Sequence, residues 1–259
     1  MRRAALPLII ACLACAGGKS LHAGEVTEQF SVNFTRDEGF SNGLLIRQQG
    51  PDTGTWVGAG LKVNLAEEAV VWDTQRPNAS WNRILLKQPI GLANKSWETA
   101  TIKVALRLSD FPESFAGEDG NRVVAVALSS SPDPYEGENI RLDAALTEND
   151  DKLYLVPAAA GSSVTYERAG LFVRRLSELG RDNEIEITLH MTRPDAAANA
   201  TFTIASSNLR AGAVETAQLT LPPALEGENL YLLLIFGDAG KIAPGKVLID
   251  SLSYSVEGS

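Results

Sequence analysis

Apolar and polar residues alternate along most of this chain, and this alternation constrains the fold more than any other feature. In Thr99–Leu108, the side chains of Ile102, Val104 and Leu106 fall on one face and that of Lys103 on the other. Roughly a dozen such segments follow one another, separated by glycine, proline, asparagine and aspartate. The pattern predicts an all-β chain of short antiparallel strands in a two-sheet sandwich.

Two hairpins and one helix are predicted within this succession. Asn139–Leu146 pairs with Lys152–Val156 across a polar turn, and Glu184–Met191 pairs with Ala200–Ala205. The segment Ala169–Leu179 predicts the one short helix, because its leucines and phenylalanine recur at helical spacing and a glycine follows them.

The first 23 residues have the pattern of a secretory signal peptide. A basic start leads into a short apolar stretch, and Leu21-His22-Ala23 ends in a small residue suited to cleavage. Both cysteines, Cys12 and Cys15, lie inside this segment. We therefore expect a secreted or periplasmic protein whose residues 24–259 form one disulfide-free domain. Anchoring as a lipoprotein through one of these cysteines is the less favoured alternative.

The charge of the chain excludes two classes of partner. The formal net charge is −9 at pH 7, and removal of the signal, which holds Arg2, Arg3 and Lys19, makes the remainder more acidic. Such a surface repels phosphate backbones and anionic lipids, so we expect neither nucleic-acid binding nor membrane insertion after the signal is removed. The acids are scattered along the chain, as on an ordinary solubilising surface.

Glu184 and Glu186 are the candidate catalytic pair. They fall on one face of a predicted strand, and glycoside hydrolysis uses two carboxyl groups that flank the scissile bond. The alternative is that they form the solvent face of an amphipathic strand, with Ile185 and Ile187 pointing inward. His190 is the only histidine after the signal, so a metal site built from histidines and cysteines is excluded by count.

The two ends of the domain carry a resemblance to a known family. Phe30-Ser-Val-Asn-Phe34 and Trp56 at one end, and Leu230–Leu234 and Val247–Tyr254 at the other, resemble the concanavalin A-like lectin/glucanase superfamily, including its bacterial extracellular members. The resemblance implies a two-sheet antiparallel jelly roll whose first and last strands are neighbours. It also implies a function connected with carbohydrates, although fold alone does not fix activity.

The same resemblance bears on catalysis. Laminarinase-like members carry Glu-x-Asp-x-x-Glu on one strand, whereas Glu184-Ile-Glu-Ile-Thr-Leu189 lacks the third acid. Alginate-lyase members carry Gln-x-His, where this chain has Thr188-Leu-His190. A polysaccharide hydrolase or lyase is therefore an alternative function rather than the first one.

A calcium site is a further expectation from the resemblance. Many jelly rolls bind Ca²⁺ between the first turn and the last strand through carboxylates and carbonyls. Asp37, Glu38 and Asp250 occupy those positions, and Asp238 is a further loop candidate. Alternatively, Asp250 forms local hydrogen bonds and the two turn acids are solvated.

The strongest candidate for a ligand site is the segment between two tryptophans. Flat rings and planar hydrogen-bonding groups suit sugars, and this segment concentrates both. The candidate ligand residues are Trp72, Asp73, Arg76, Asn78, Trp81 and Arg83. The alternative is that both tryptophans belong to the core.

We therefore expect a non-catalytic extracellular module that binds carbohydrate through the Trp72–Arg83 segment. The alternatives are a polysaccharide-active hydrolase or lyase that uses Glu184 and Glu186, and a structural surface or matrix protein without a small ligand. A glycan is the expected partner, and Ca²⁺ is the one cofactor that the sequence suggests.

Overall fold

The computed structural model describes most of the domain and none of the predicted signal peptide. The described residues are 25–48, 56–58, 61–73, 83–93, 97–111, 121–149, 152–159, 171–175, 184–193, 201–208, 213–220, 229–237 and 245–258. They form two antiparallel sheets of nine and seven strands.

The larger sheet contains the first and the last of the described strands. Its strands are β1 (Glu25–Val32), β2 (Gly43–Leu44), β4 (Lys62–Asn64), β5 (Ala69–Asp73), β7 (Trp97–Ser109), β12 (Glu184–Thr192), β13 (Thr201–Asn208), β14 (Ala213–Thr220) and β16 (Lys246–Gly258). They are ordered β14-β13-β12-β7-β16-β5-β4-β2, and β1 pairs with β16 beside that path.

The smaller sheet covers the larger one. Its strands are β3 (Trp56–Gly58), β6 (Arg83–Ile90), β8 (Asn121–Ser129), β9 (Ile140–Asn149), β10 (Lys152–Ala159), β11 (Leu171–Arg175) and β15 (Leu230–Phe236), ordered β11-β10-β9-β8-β15-β6-β3. The two predicted hairpins are confirmed as β9–β10 and β12–β13. The predicted all-β antiparallel sandwich is also confirmed.

The predicted helix over Ala169–Leu179 is wrong where the structure describes it. Leu171–Arg175 is strand β11, which pairs antiparallel with β10. Phe172 packs edge to face on Tyr154 of β10, with 5.9 Å between ring centroids. Pairing along an edge of the sheet therefore outweighs a helical spacing that only a few residues support.

The helical structure that the described residues show is limited to three single 3₁₀ turns, at Leu45–Arg47, Gly91–Ala93 and Gly137–Asn139. Within this part of the chain no helix is long and apolar enough to span a membrane.

The core lies between the sheets and is built from the inward side chains of each strand. On β7, Ile102, Val104 and Leu106 are fully buried, as their alternation predicts. The β15 strand is buried on both of its faces. Large aromatic rings fill the end of the sandwich near β1, where Phe30 stacks on Tyr254 with 5.4 Å between centroids.

A β-bulge in β16 sets the direction of its side chains. Ile249 pairs with Leu106 and Ser251 pairs with Ala105, so Asp250 is an extra residue in the ladder with β7. Apolar side chains point inward at Val247 and Ile249 before the bulge and at Leu252, Tyr254 and Val256 after it. Asp250 and Ser251 both lie on the outer side.

The same strand changes its second partner at the bulge. Lys246–Ile249 pairs with β5, and Leu252–Gly258 pairs with β1. This confirms the expectation that the first and last strands are neighbours, with Phe30 opposite Tyr254.

Glu28 joins β1 to both sheets. Its Oε1 accepts a hydrogen bond of 2.6 Å from the Tyr254 hydroxyl, and its Oε2 accepts one of 2.8 Å from the backbone N–H of Gly91, directly after β6. Burial, together with the hydrogen bond to this carboxylate and its charge, raises the pKa of Tyr254 well above its ordinary value. Tyr254 therefore stays a neutral donor at any physiological pH.

Substitution Tyr254→Phe removes the donor to Glu28 and keeps the ring. A hydrogen bond to a charged group in a partly buried position contributes about 2 kcal/mol. We expect the free energy of unfolding in urea to fall by about that amount. The control is Tyr231→Phe, because Tyr231 is half-buried and its hydroxyl makes no hydrogen bond to a described residue. Equal losses in the two variants would contradict this role of Glu28.

Substitution Gly58→Ala is expected to destabilise the fold by about 3 kcal/mol. Gly58 has φ +137°, a conformation that L-residues rarely adopt, and a Cβ there would overlap the backbone carbonyl of Arg83. Gly43→Ala is the matched control, because Gly43 has φ +143° but a Cβ would have no neighbour within 4 Å. Thermal and urea unfolding should show the larger loss at position 58.

Candidate functional site

The outer face of the nine-stranded sheet presents two rows of polar side chains across β1, β16 and β7. In one row Gln29 lies opposite Ser255, and Ser255 opposite Thr101. In the next row Ser31 lies opposite Ser253, and Ser253 opposite Lys103. Rows two residues apart on a strand are separated by about 6.7 Å, and neighbouring strands by about 4.8 Å.

These rows line a surface depression of about 560 Å³. Small serine side chains on β16 lie beside longer ones, Gln29 on β1 and Lys103 on β7, which leaves the space above the serines open. The lining residues are Gln29, Phe30, Ser31, Gln88, Thr101, Lys103, Ser253, Tyr254 and Ser255. The volume is within the range of sites that take small ligands.

Most of the residues in the lining carry a hydroxyl or an amide group. Serine, threonine and glutamine side chains both donate and accept hydrogen bonds, as sugar hydroxyls do. Phe30 and Tyr254 point inward and are nearly buried, so they offer little ring surface for stacking. The depression can therefore hold a hydroxyl-rich ligand through hydrogen bonds.

Two side-chain contacts on β12 border the depression. His190 Nδ1 lies 2.8 Å from the hydroxyl of Thr101. Lys103 Nζ lies 3.4 Å from Glu186 Oε1, and the hydroxyl of Thr188 donates to the same oxygen at 3.3 Å. The lone histidine is thus a hydrogen-bond partner of a lining residue.

The predicted catalytic pair lies on this face but outside the lining of the depression. Glu186 is engaged by Lys103 and Thr188. Glu184 lies opposite Arg107 in the β12–β7 ladder. Among the described lining residues there is no carboxylate, so the two acids that glycoside hydrolysis requires do not face this space.

Two of the three predicted calcium residues, Asp250 and Glu38, are engaged by other groups, and Asp37 is exposed in the turn after β1. The guanidinium of Arg107 donates to both carboxylate oxygens of Asp250, at 2.7 to 2.9 Å, and also contacts Glu67. Burial raises the pKa of Asp250, and the bound guanidinium partly offsets this. Glu38 accepts hydrogen bonds from the backbone N–H and side-chain amide of Asn33.

These partners do not suit a Ca²⁺ ion held by Asp37, Glu38 and Asp250. The described residues include no group of three or more acids, histidines or cysteines placed to hold a metal. The charge of Arg107 would also repel a cation at Asp250. Asp250 is instead bound across the sheet by Arg107, 143 positions away in the sequence, and not by the local hydrogen bonds that the sequence left as the alternative. Asp238 lies outside the described residues.

The predicted sugar-binding segment is divided by the structure. Trp72 is only 3% exposed and packs on Phe236, with 5.3 Å between ring centroids, so its assignment as a sugar-stacking ring is wrong. Asp73 is half-buried at the end of β5. Arg83 is half-buried and donates to the carbonyl of Pro134 at 3.1 Å. The other members, Arg76, Asn78 and Trp81, lie outside the described residues.

The remaining described tryptophans are also core residues. Trp56 is 3% exposed and packs on Phe34. Trp97 is 7% exposed, with the guanidinium of Arg193 4.7 Å from its ring centroid. The rings of Trp56 and Trp97 therefore pack in the hydrophobic core and leave little surface for a ligand to stack on, as is usual for large aromatics.

The smaller sheet carries a second apolar cluster on the side away from the main core. Its members are Leu85, Ala125, Ala127, Ala145, Leu233 and Ile235, each 5% exposed or less. Asp143 is buried beside them, 3.6 Å from Arg122. Burial raises the pKa of Asp143, and the charge of Arg122 offsets this only in part. The centre of this face is therefore covered, unlike the depression on the other sheet.

The lining of the depression was missed from the sequence, although a signal was present. Ser251, Ser253 and Ser255 alternate with inward-facing apolar residues, which marks a strand whose outer side is small and hydroxylated. Pairing with Gln29 and Thr101 then builds the polar surface, and this pairing becomes visible only in the folded sheet.

Comparison with known proteins supports the fold. Lectin I from Ulex europaeus, in complex with the methyl glycoside of α-L-fucose, has a TM-score of 0.59 at 8% identity, covering 89% of this chain and 98% of that one. Winged bean acidic lectin, complexed with methyl-α-D-galactose, has a TM-score of 0.58 at 10% identity, with 90% and 100% covered.

A third solved structure is the exoplasmic/lumenal domain of VIP36 in a metal-free form. Its TM-score is 0.54 at 13% identity, covering 83% of this chain and 95% of that one. No family model and no curated protein matches the sequence. At these identities the likeness concerns the backbone, and it confirms the predicted architecture. The chain has the concanavalin A-like jelly-roll fold of legume and L-type lectins.

Proposed function

We propose that this protein is a carbohydrate-binding module that acts without catalysis. The observation that carries the proposal is the depression on the nine-stranded sheet, lined by hydroxyl and amide side chains. Carbohydrates present many groups that both donate and accept hydrogen bonds, and this lining matches them without requiring a charge. The solved lectins of the same fold in complex with sugars support the same class of ligand.

The position of the acids supports binding without catalysis. Glu186 is held by Lys103, and Glu184 lies at the Arg107 end of the ladder, so neither faces the depression. The polysaccharide hydrolase or lyase remains the alternative enzyme function, and no contact among the described residues favours it. A purely structural surface or matrix role does not explain why the sheet has an open polar depression.

Export is the second part of the proposal. The signal-like residues 1–23 and the absence of cysteine from the rest of the chain both suit a secreted or periplasmic protein. We propose that the jelly roll beginning at β1 works in that compartment as a released protein.

Binding should depend on the polar lining. The double substitution Gln29→Ala and Ser255→Ala removes two hydrogen-bonding groups from one row of the depression. Loss of two net hydrogen bonds of about 1 kcal/mol each lowers affinity by at least about tenfold. The measurement is a glycan array followed by calorimetric titration of the glycan that binds best.

The control for this test is Lys87→Ala, which changes an exposed side chain of β6 next to Gln88 but outside the lining. Unchanged affinity in the double variant would remove the depression as the binding site. Absence of binding to every glycan on the array would contradict the proposed function itself.

Divalent metal removal should leave the protein unchanged. Because Asp250 is bound by Arg107 and Glu38 by Asn33, a chelator has no ion to take from them. We expect EGTA to shift neither the thermal midpoint nor the glycan affinity. A lower midpoint in EGTA that CaCl₂ restores would show a calcium site in the protein after all.

A further inference from the structure

We propose that Glu186 makes the depression select neutral glycans over acidic ones, by compensating the charge of Lys103. This inference rests on the proposed function and specifies the ligand class of the same site. Glu186 is thus a specificity-determining residue that does not itself line the depression.

Among the described residues that line the depression, Lys103 is the only charged one. It is half-exposed and lies next to Ser253 in the ladder, where its ammonium group can reach a bound ligand. An uncompensated ammonium in this position would attract carboxylate and sulfate groups. Whether the site favours acidic ligands therefore depends on what Lys103 contacts.

The structure supplies that contact from the neighbouring strand. Lys103 lies opposite Thr188, and Glu186 lies opposite Ala105, so the two charged residues are diagonal neighbours across β7 and β12. Their side chains meet at 3.4 Å. The hydroxyl of Thr188 donates to the same carboxylate oxygen and orients it toward the lysine.

The pair contributes little to stability. The Lys103 side chain is 50% exposed and that of Glu186 is 23% exposed, and ion pairs of this kind are screened by water and salt. Its effect on the charge above the depression is larger, because a ligand bound there contacts the lysine directly. The pair is therefore better explained by what it does to ligands than by what it does to the fold.

Surrounding charges act in the same direction. Arg107, the next cation along β7, is occupied by Asp250 and Glu67. The whole chain has a formal net charge of −9. An acidic polymer approaching the depression thus meets a compensated lysine and a negative protein, whereas a neutral polymer has only hydrogen bonds to make. This is discrimination by repulsion of the wrong ligand.

The test uses pairs of polymers that differ only in oxidation of the exocyclic carbon. A β-linked galactan, glucan or mannan is compared with the polyuronate made from it by oxidation of that carbon, so that the linkage is the same in both members of the pair. Affinity electrophoresis and calorimetry measure binding to each member for the wild-type protein, for Glu186→Gln and for Glu184→Gln. The last variant is the control, because it removes one negative charge from the same strand and face while leaving the Lys103 contact intact.

We expect the wild-type protein to prefer the neutral member of the pair it recognises. Glu186→Gln should raise affinity for the acidic member about tenfold at low salt, with the gain lost at high salt. Glu184→Gln should leave the ratio near that of the wild type. Thermal midpoints of all three proteins should be similar, which shows that folding is not the cause.

Three outcomes would overturn the inference. A wild-type preference for the acidic polymer would leave the proposed function standing and remove the selectivity. An equal gain in both glutamate variants would assign the effect to net charge rather than to the Lys103 contact. Binding to none of the polymers by any of the proteins would overturn the proposed function and this inference together.

Discussion

The fold depends on one extra residue in its longest pairing. The β16 strand runs beside β7 for its whole length, and the bulge at Asp250 reverses which of its alternating residues point inward. Without the bulge, the apolar residues on one side of it would face water. The Arg107 guanidinium holds Asp250 on the outer side, at the point where the strand leaves β5 and begins to pair with β1. The ion pair between Arg107 and Asp250 thus lies at the point where the two halves of the ladder meet.

The polar surface is a consequence of the same arrangement. After the bulge, Leu252, Tyr254 and Val256 fill the core, which leaves only the serines between them for the outer side. Where a central strand carries small outer side chains and its neighbours carry longer ones, such as Gln29 and Lys103, the outer surface of the sheet has a hollow above that strand. The depression therefore arises from packing, and its chemistry comes from the residues that β1 and β7 place beside it.

The sequence predicted what depends on local alternation. The two-sheet antiparallel fold and the β9–β10 and β12–β13 hairpins follow from patterns of a few residues. The neighbouring positions of the first and last strands were expected from the family resemblance instead, and β1 does pair with β16. The helix failed, because the apolar spacing around Leu171 also suits an edge strand, and pairing with β10 decides between the two.

The site was harder to predict, since its contacts join distant parts of the chain. Arg107 and Asp250 are 143 positions apart, and nothing in the sequence around either residue identifies the other as its partner. The burial of Trp72 is likewise a property of the assembled sandwich. The residue type alone suggested that Trp72 stacks on a sugar, but its ring packs against Phe236 in the core. Alternation could still have indicated the serine face of β16.

The meeting of the chain ends has a consequence for how the molecule is made. Glu28 and Tyr254 are separated by 226 positions, so β1 is synthesised well before β16, the strand it pairs with. Contacts between residues so far apart in the sequence form slowly. Until they form, an unpaired strand is prone to associate with other chains. Gln29 and Ser31 make one side of the unpaired β1 strand hydrophilic. The residues that line the depression in the folded protein would thus also reduce aggregation of the nascent chain during folding.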